Sequence, residues 1–338
     1  MKLKLVILVA ALCASVMCGT LAHAQKKHDE KAEKTEKAKV KVVKTVERVE
    51  SAVAAEPDVV ITLCTESGKI TVRGNDQREV RAHVSKDTKV DFRRSGDTNP
   101  ANPAARLEVL VSEANDEEGD EPHYGPCSGS ADIELDVPRG ATLFFKSDNG
   151  DFDVDTIAEA HIETSSGRVN LRHVARATEA TSVDGDLSLE DSSGRVRLET
   201  FGGSVEAVNV SKLAEGDFFK AKSISNDLLL DRINHSRIEA TTISGEITMR
   251  GPLARAGSYE MRTTSGDITL TMPSDSSFRL EAKVSEGGEI VTDFPLKYTG
   301  GISSTGLLSS GRMVGTYGTG ETRLSLVSFS GTLRLRKQ

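Results

Sequence analysis

Residues 242–249 read TISGEITM, and residues 263–270 read TTSGDITL. Both copies contain a Ser/Thr-rich approach, a glycine, a polar residue and then alternating aliphatic residues. Other copies occur at 147–154 (SDNGDFDV), 164–171 (TSSGRVNL), 182–189 (SVDGDLSL), 191–198 (DSSGRVRL), 223–230 (SISNDLLL), 285–292 (SEGGEIVT) and 328–335 (SFSGTLRL), with an outlying early copy, ESGKITV, at 66–72. Such repetition indicates an array whose units pack mainly on their neighbours.

The spacing of the copies predicts the fold. The turn position falls at Gly150, Gly167, Gly185, Gly203, Asn226, Gly245, Gly266 and Gly288. Successive gaps are 17 to 23 residues long, and Gly194 bisects one of them. A period near 20 accommodates two short strands and two tight turns, which is one coil of a β-solenoid. We expect these turn residues to adopt φ > 0, which Gly and Asn tolerate.

The composition agrees with this prediction. Of 338 residues, 29 are Gly, only 4% are aromatic and none is Trp. Stacked coils would place aliphatic residues on one face and leave little room for rings. We therefore predict an all-β fold: a right-handed parallel β-solenoid (β-helix-like) over residues 147–338. The alternative over 147–295 is a β-sandwich built from hairpins, because sandwich strands alternate as well.

Residues 57–146 form a second predicted region. Their apolar residues alternate with polar ones in short runs, which is typical of half-buried strands. The spacing is irregular, so the region is either an N-terminal β-sheet cap or a set of further coils. A cap would protect an open sheet edge. The loop at 113–130 is rich in acids, but no ordered Ca²⁺-ligand pattern appears in it. A solvated loop is the expectation.

The N-terminus has the features of an export signal. Lys2 and Lys4 precede an apolar run, and Ala22-His23-Ala24 forms a small-x-small cleavage site. We expect residues 1–24 to be a secretory signal peptide. A membrane anchor is the alternative, although the run is short for a span of about 20 residues.

Charge separates the next segment from the rest of the chain. The full sequence has 43 basic and 51 acidic residues, a net charge of −8. Residues 25–56 are Lys/Glu-rich and are predicted to be a charged linker. Within them Val42, Val46, Val49 and Val53 would share a helical stripe, so a docking helix is the alternative. From Ser51 onward 32 basic residues face 45 acidic ones, a net −13. Binding to nucleic acid is not expected.

Cleavage at residue 24 would leave two cysteines, Cys64 and Cys127. In an oxidising compartment an even pair suggests one disulfide. Two separate buried thiols are the alternative.

Three segments resemble a known family. They are VPRGATLFFKSDNGDFDVDTI (137–157), the serial SG[DRE][IV]xL copies and the closing GTYGTGETRLSLVSFSGTLRL (315–335). Together they resemble the bacterial putative-adhesin β-solenoid domain, a family of unknown function, over residues 57–337. The resemblance implies this fold and implies no catalytic residues.

Catalytic motifs are missing from the sequence. It contains no phosphate-binding GxxxxGK[ST] loop, no HExxH and no GxSxG elbow. One acidic cluster remains, at Asp148, Asp151, Asp153 and Asp155, and paired carboxylates are the machinery of glycoside hydrolysis. These acids alternate with Phe152 and Val154, however, as the outer face of a strand would.

We therefore expect an exported, non-enzymatic adhesin or cell-envelope interaction module, located in the periplasm, on the outer surface or outside the cell. No catalytic residue, cofactor or metal is expected. Binding of an envelope polymer or protein would use strand faces such as the Arg168/Arg172 or Arg195/Arg197 rows. The alternatives are a polysaccharide-acting β-helix lyase or hydrolase, and a self-associating envelope scaffold.

Overall fold

The computed structural model describes residues 48–97, 99–113, 127, 129–298 and 311–338. Within these ranges every regular element is a strand, so the predicted all-β class is confirmed. The strands are β1 Arg48–Asn75, β2 Glu79–Ser85, β3 Thr88–Arg94, β4 Ala104–Glu113, β5 Ile133–Pro138, β6 Thr142–Ser166, β7 Val169–Asp184, β8 Leu187–Glu190, β9 Arg195–Thr200, β10 Val205–Ser211, β11 Phe218–Lys222, β12 Leu228–Asn234, β13 Arg237–Thr241, β14 Ile247–Arg250, β15 Ser258–Thr263, β16 Ile268–Met272, β17 Phe278–Val284, β18 Ile290–Thr292, β19 Lys297–Tyr298, β20 Gly311–Tyr317, β21 Thr322–Ser328 and β22 Leu333–Lys337. The predicted signal peptide, most of the linker and most of the acidic loop lie outside the described residues.

The segments that follow the turn position pair into one parallel ladder, the post-turn ladder. Its order is β5–β1–β6–β7–β8–β10–β12–β14–β16–β22–β18. Equivalent aliphatic residues stack along it. For example, Val169 is paired with Leu187, which is paired with Val205, and all three are buried. This stacking builds the core from one apolar side chain above another.

The segments that precede the turn form the pre-turn ladder, β6–β7–β9–β11–β13–β15–β21–β17, which is also parallel. Two antiparallel strands follow it, β20 on β17 and β19 on β20. A chain that alternates between two parallel ladders has a solenoid-like fold. A sandwich of hairpins would need antiparallel neighbours, so that alternative is wrong for residues 147–295.

The DSSGRVRL copy belongs to the opposite corner from the other copies. Its strand, β9, lies in the pre-turn ladder, where Val196 pairs with Thr178 and Phe219. Gly194, with φ of 93°, therefore marks the second turn of the coil. The sequence could not separate the corners because both use Ser and Gly before a strand.

Residues 57–146 do not form a separate region at the predicted boundary. The early copy pairs in register with the repeats, since Gly68 is opposite Gly150 and Ile70 is opposite Phe152. On the other side of β1, β5 continues the same ladder. Antiparallel pairs β1–β2, β2–β5 and β3–β4 are added only around these coils.

The linker was predicted too long at its C-terminal end. Residues 48–54 pair antiparallel with β2, in a register that runs from Arg48–Ser85 to Ala54–Glu79. Val49 and Val53 are therefore strand residues, not part of a helical stripe. Pairing with β2 satisfies the backbone groups along that strand's edge, which local helix propensity could not reveal.

The last repeat copy is not the last coil of the stack. β21 lies between β15 and β17, and β22 lies between β16 and β18, in each case with parallel pairing on both sides. We call residues 322–337 the inserted coil. Its buried residues Leu324, Leu326, Leu333 and Leu335 fill the space between two coils that are consecutive in sequence.

The core accepts more rings than predicted. Phe145, Phe152, Phe219, Tyr259 and Phe278 are among the largest fully buried side chains. Phe219, for example, is opposite the smaller residues Val196 and Ile238 of the neighbouring coils. The low aromatic content therefore reflects sparse use of rings and not a core too thin to hold them.

Candidate functional site

The predicted turn positions and Gly331 of the last copy stack from coil to coil, and we call them the turn column: Gly150, Gly167, Gly185, Gly203, Asn226, Gly245, Gly266, Gly331 and Gly288. At most of its glycines the backbone of the neighbouring coil lies where a Cβ would be. Of the seven predicted turn glycines, only Gly167 has positive φ, at 107°. The expected need for φ > 0 is therefore wrong for the other six. A Cβ added to Gly185 would overlap the carbonyl oxygen of Gly167, and a Cβ on Gly203 would overlap that of Gly185. Close stacking of coils is what requires glycine.

A column of buried hydroxyl groups lies three residues before the turn column. The Thr200 hydroxyl accepts a hydrogen bond from the Gly203 N–H (3.1 Å) and donates one to the Gly185 carbonyl of the neighbouring coil (3.0 Å). The same two bonds recur at Ser223, Thr242, Thr263 and Ser328. These hydroxyls join consecutive turns. The sequence showed the Ser/Thr-rich approach, but its role became visible only in the structure.

Aspartates after the turn bind the next coil. Asp186 Oδ1 accepts bonds from the Ser204 N–H (2.8 Å) and hydroxyl (2.7 Å), and these bonds lower the pKa of Asp186. Equivalent bonds from a backbone N–H are made to Asp132, Asp151, Asp227 and Asp267. These aspartates occupy every second coil of the post-turn ladder from β5 to β16. The intervening coils supply the N–H and need no carboxylate there.

Six residues after the turn column, the second corner requires left-handed backbone. Six consecutive coils have positive φ there, at Thr156, His173, Asp191, Asn209, Arg232 and Gly251. This position, unlike the turn column, is constrained by φ, yet only one of the six residues is glycine. Polar contacts between neighbours accompany it, such as the 2.7 Å contact between His173 Nδ1 and Asp155 Oδ1.

The candidate catalytic carboxylates are bound to the adjacent coil. Asp151 Oδ1 accepts a bond from the Arg168 N–H (2.7 Å), and Asp153 pairs with the Arg172 guanidinium (2.9 Å). Burial would raise the pKa of Asp155, but bonds from the Thr156 hydroxyl and His173 outweigh it and lower this pKa. A general acid in glycoside hydrolysis needs a raised pKa. The three carboxylates instead tie coils together, and Asp148 is exposed.

The predicted arginine rows are partly neutralised. Arg172 pairs with Asp153, and Arg197 lies 3.1 Å from Glu199 and 3.7 Å from Glu179. Ion pairs also join neighbouring coils along the outer face of the pre-turn ladder. Lys220, for example, lies 3.3 Å from Glu199. These ion pairs reduce the positive charge that Arg172 and Arg197 present to an anionic polymer.

His235 is a buried polar residue that the sequence analysis did not single out. Its Nε2 lies 2.8 Å from the Gly194 carbonyl oxygen, whereas Nδ1 has no partner. The ring lies against Phe219, and Tyr259 donates a hydrogen bond to the His235 carbonyl (3.3 Å). Burial lowers the pKa of His235. The pairing of a core histidine with a second-corner carbonyl gives it a structural role.

Two shallow cavities, each of about 210 Å³, lie on the strand faces. The first is lined by charged residues that already pair with one another, including Arg48 with Glu134 (2.7 Å) and His83 with Asp136 (3.3 Å). The second is lined by His161, Glu179, Arg197 and Phe218 among others. The part of the chain that the structure describes holds no cluster of three His, Cys, Asp or Glu residues that could bind a metal. No helix in the same part is long and apolar enough to cross a membrane.

Cys64 and Cys127 are joined in the structure, with their Cα atoms 4.6 Å apart. This separation lies within the range that a disulfide requires. The bridge would connect β1 to the end of the loop that follows β4.

A repeat domain of two parallel ladders, with side chains that mostly bind neighbouring coils, is the class that the geometry defines. Residues 60–336 match the Toastrack DUF4097 family, so the chain belongs to that family. The resemblance to a putative-adhesin domain family of unknown function is thereby confirmed.

Two solved structures are similar to this chain at low sequence identity. A putative adhesin from Parabacteroides distasonis is 7% identical, with a TM-score of 0.46, over 86% of this chain and 98% of that one. A putative adhesin from Parabacteroides merdae is 6% identical, also with a TM-score of 0.46, over 86% of this chain and 97% of that one. No curated protein matches the sequence.

Proposed function

We propose that this protein is an exported, non-enzymatic interaction module of the bacterial cell envelope or surface, of the adhesin type. The proposal rests on one observation: the most conspicuous polar side chains bind other parts of the repeat array. The buried hydroxyls before the turn column, the aspartates after it and the ion pairs on the strand faces all bind neighbouring coils. Repeats maintained in this way provide an extended surface for binding.

Several finer features belong to the same proposal. Residues 1–24 direct export, and the linker then begins at residue 25 and ends before Arg48. The antiparallel strands β2 and β3 cap the first coils, because they cover edges of β5 and β4 that would otherwise be open to other chains. The coils wind right-handed, as nearly all connections between parallel strands do.

The export step is tested by fractionating cells that make a C-terminally tagged protein. We expect the exported form to begin at Gln25, by mass spectrometry. Ile7→Arg combined with Leu8→Arg should block export because it interrupts the apolar run. Val42→Arg with Val43→Arg, in the linker, is the matched control and should be exported normally. Cytoplasmic protein with residues 1–24 intact would contradict the proposal.

The interaction step is tested by crosslinking the exported protein in intact cells and identifying what it contacts. An envelope polymer or surface protein is the expected product. If the protein crosslinks to nothing beyond small soluble metabolites, an interaction role is excluded.

The alternative of a polysaccharide-acting enzyme rests on Asp151 and Asp153. A panel of bacterial and plant polysaccharides should be left uncleaved, because both carboxylates are committed to Arg168 and Arg172. Cleavage that is abolished by Asp151→Asn and Asp153→Asn, while Asp186→Asn leaves it unchanged, would overturn the non-enzymatic proposal.

A further inference from the structure

Apolar side chains form a line along the turn corner, interrupted once by a threonine. The line lies two residues before the turn column, and we call it the apolar ridge: Val183, Phe201, Ile224 (half-buried), Ile243, Thr264 (polar) and Phe329. Phe201 is 58% exposed, Val183 53%, Phe329 47% and Ile243 43%. Within the described residues, four of the nine large exposed hydrophobic residues therefore lie on this one line. Scattered exposed apolar residues are ordinary, but contiguous ones mark interaction surfaces.

Backbone hydrogen bonds place the ridge residues on consecutive coils. The Gly202 N–H binds the Val183 carbonyl (2.7 Å), and the Ile224 N–H binds that of Phe201 (3.2 Å). The line continues through the Ile243 N–H to the Ile224 carbonyl (3.1 Å). The Thr264 N–H then binds the Ile243 carbonyl (3.1 Å), and the Ser330 N–H of the inserted coil binds the Thr264 carbonyl (3.0 Å). With coils about 4.8 Å apart, six positions extend about 24 Å.

The fold itself does not require apolar residues on this line. Coils at either end carry Asp148, Ser165 and Glu286 at the same position, with the same buried hydroxyl three residues before the turn at Ser147 and Thr164. Polar residues are therefore compatible with the turn. The turn therefore does not by itself explain why apolar residues occupy this position in the middle coils.

The charge around the ridge indicates which kind of partner could dock on it. From Phe201 to Phe329 neither the ridge residues nor the residues that follow them, Gly202, Ser225, Ser244, Ser265 and Ser330, carry a charge. The chain from Ser51 onward has a net charge of −13, so most approaches of two copies would oppose like charges. Contact through the ridge sets uncharged side chains against each other in its centre, although carboxylates also follow three residues further along the middle coils, at Asp227, Glu246 and Asp267.

We propose that the apolar ridge is a self-association surface, on which a second copy of this chain docks its own ridge. Two copies have the same coil spacing, so ridge side chains can interdigitate along the whole line, as an isologous two-fold contact allows. Six side chains bury less than the roughly 800 Å² per partner of a standard interface. The dimer is therefore weak and concentration-dependent. This goes beyond the proposed function, which does not depend on it.

The test is sedimentation equilibrium of the purified exported protein over a concentration series. The ridge variant combines Phe201→Ser, Ile243→Ser and Phe329→Ser, because serine occurs naturally at this position in residue 165. The control variant combines Leu213→Ser and Tyr298→Ser, which are 62% and 48% exposed and lie outside the ridge. Both variants should keep the wild-type Tm.

We expect the wild type and the control to dimerise with the same Kd and the ridge variant to raise that Kd by at least about tenfold. Added salt should tighten the wild-type dimer, because it screens repulsion between acidic copies. A wild type that remains monomeric, a ridge variant that dimerises normally, or a dimer that salt dissociates would each overturn the proposal. A monomer that binds neutral phosphatidylcholine vesicles through the ridge would replace it with a lipid contact.

Discussion

Glycine in the turn column is required by distance to the neighbouring coil, and a substitution can separate this cause from backbone conformation. Gly185 has ordinary φ, so alanine there is not strained by its own backbone. Its Cβ would nevertheless overlap the Gly167 carbonyl oxygen, and both backbones must shift. At Gly311 the nearest atom to an added Cβ, in the Ile290 side chain, is 3.8 Å away.

We predict that Gly185→Ala lowers the free energy of unfolding by about 1–3 kcal/mol, in the range of overpacked interiors. Gly311→Ala, the matched control, should change it by less than about 0.5 kcal/mol. Urea denaturation measures both. Equal effects of the two substitutions would refute the close-approach explanation.

The pH dependence of stability should report the burial of His235. Burial lowers its folded-state pKa below the ordinary 6.5. Below about pH 6.5 the unfolded chain therefore gains a proton that the folded chain does not, and the free energy of unfolding falls as the pH drops. The slope contributed is at most about 1.4 kcal/mol per pH unit.

His235→Gln should remove this slope between pH 6.5 and pH 5, as measured by urea denaturation at a series of pH values. Asp186 and Asp267, whose pKa values are lowered by bonds to the next coil, act in a different range. Their stabilisation is lost only at pH values below the ordinary 3.8. An unchanged slope in His235→Gln would show that another group titrates.

At the scale of single elements, the inserted coil is held by two neighbours that are not adjacent to it in sequence. Leu326 in β21 is fully buried, opposite Met261 of β15 and Ala282 of β17. Each coil of a repeat array is stabilised chiefly by its neighbours. Damage to β21 should therefore spread to both sides before it reaches the first coils.

Leu326→Ala should cost about 2–5 kcal/mol, as buried leucine truncations do. Hydrogen exchange should show lost protection in β15 and β17, with protection retained in β1 and β6. Leu198→Ala in β9, also fully buried, is the control and should deprotect β7 and β11 instead. If Leu326→Ala left β17 protected, the inserted position of β21 would be wrong.

The bond between Cys64 and Cys127 links β1 to a residue 63 positions away. We predict that unreduced, exported protein contains no alkylatable thiol. Reduction should lower the free energy of unfolding by about 4 kcal/mol, the chain-entropy value for a loop of this length. Two alkylatable thiols in the unreduced protein would exclude the bridge.

For the molecule as a whole, the repeat in the sequence was sufficient to predict the all-β class and the coil period. The position of the turn column followed from Gly and Asn spacing. The reason why glycine is needed there could not be predicted from the sequence. It is an overlap with the carbonyl of another coil, and that overlap depends on how closely the coils stack. The Asp residues after the turn carried a signal that the sequence analysis did not use: they recur in alternate coils, as at Asp151, Asp186 and Asp227.

Two features of the whole molecule were beyond the sequence. Residues 48–54 looked helical or linker-like because local pattern does not show that β2 has an open edge. The order of the last coils was hidden because residues 328–335 match the repeat equally well at the end of the stack or inside it. The candidate site likewise changed, since Asp151 and Asp153 bind Arg168 and Arg172 of the next coil and Arg197 pairs with glutamates.

The inserted coil also limits how this array can grow by gene duplication. A duplicated coil anywhere between β7 and β14 would lengthen both ladders and leave every later neighbour in place. A duplicate placed between β16 and β17 would create another gap in the stack, and residues 322–337 can fill only one. Length variation among relatives should therefore be concentrated in the upstream coils, with the arrangement of the last three coils kept constant.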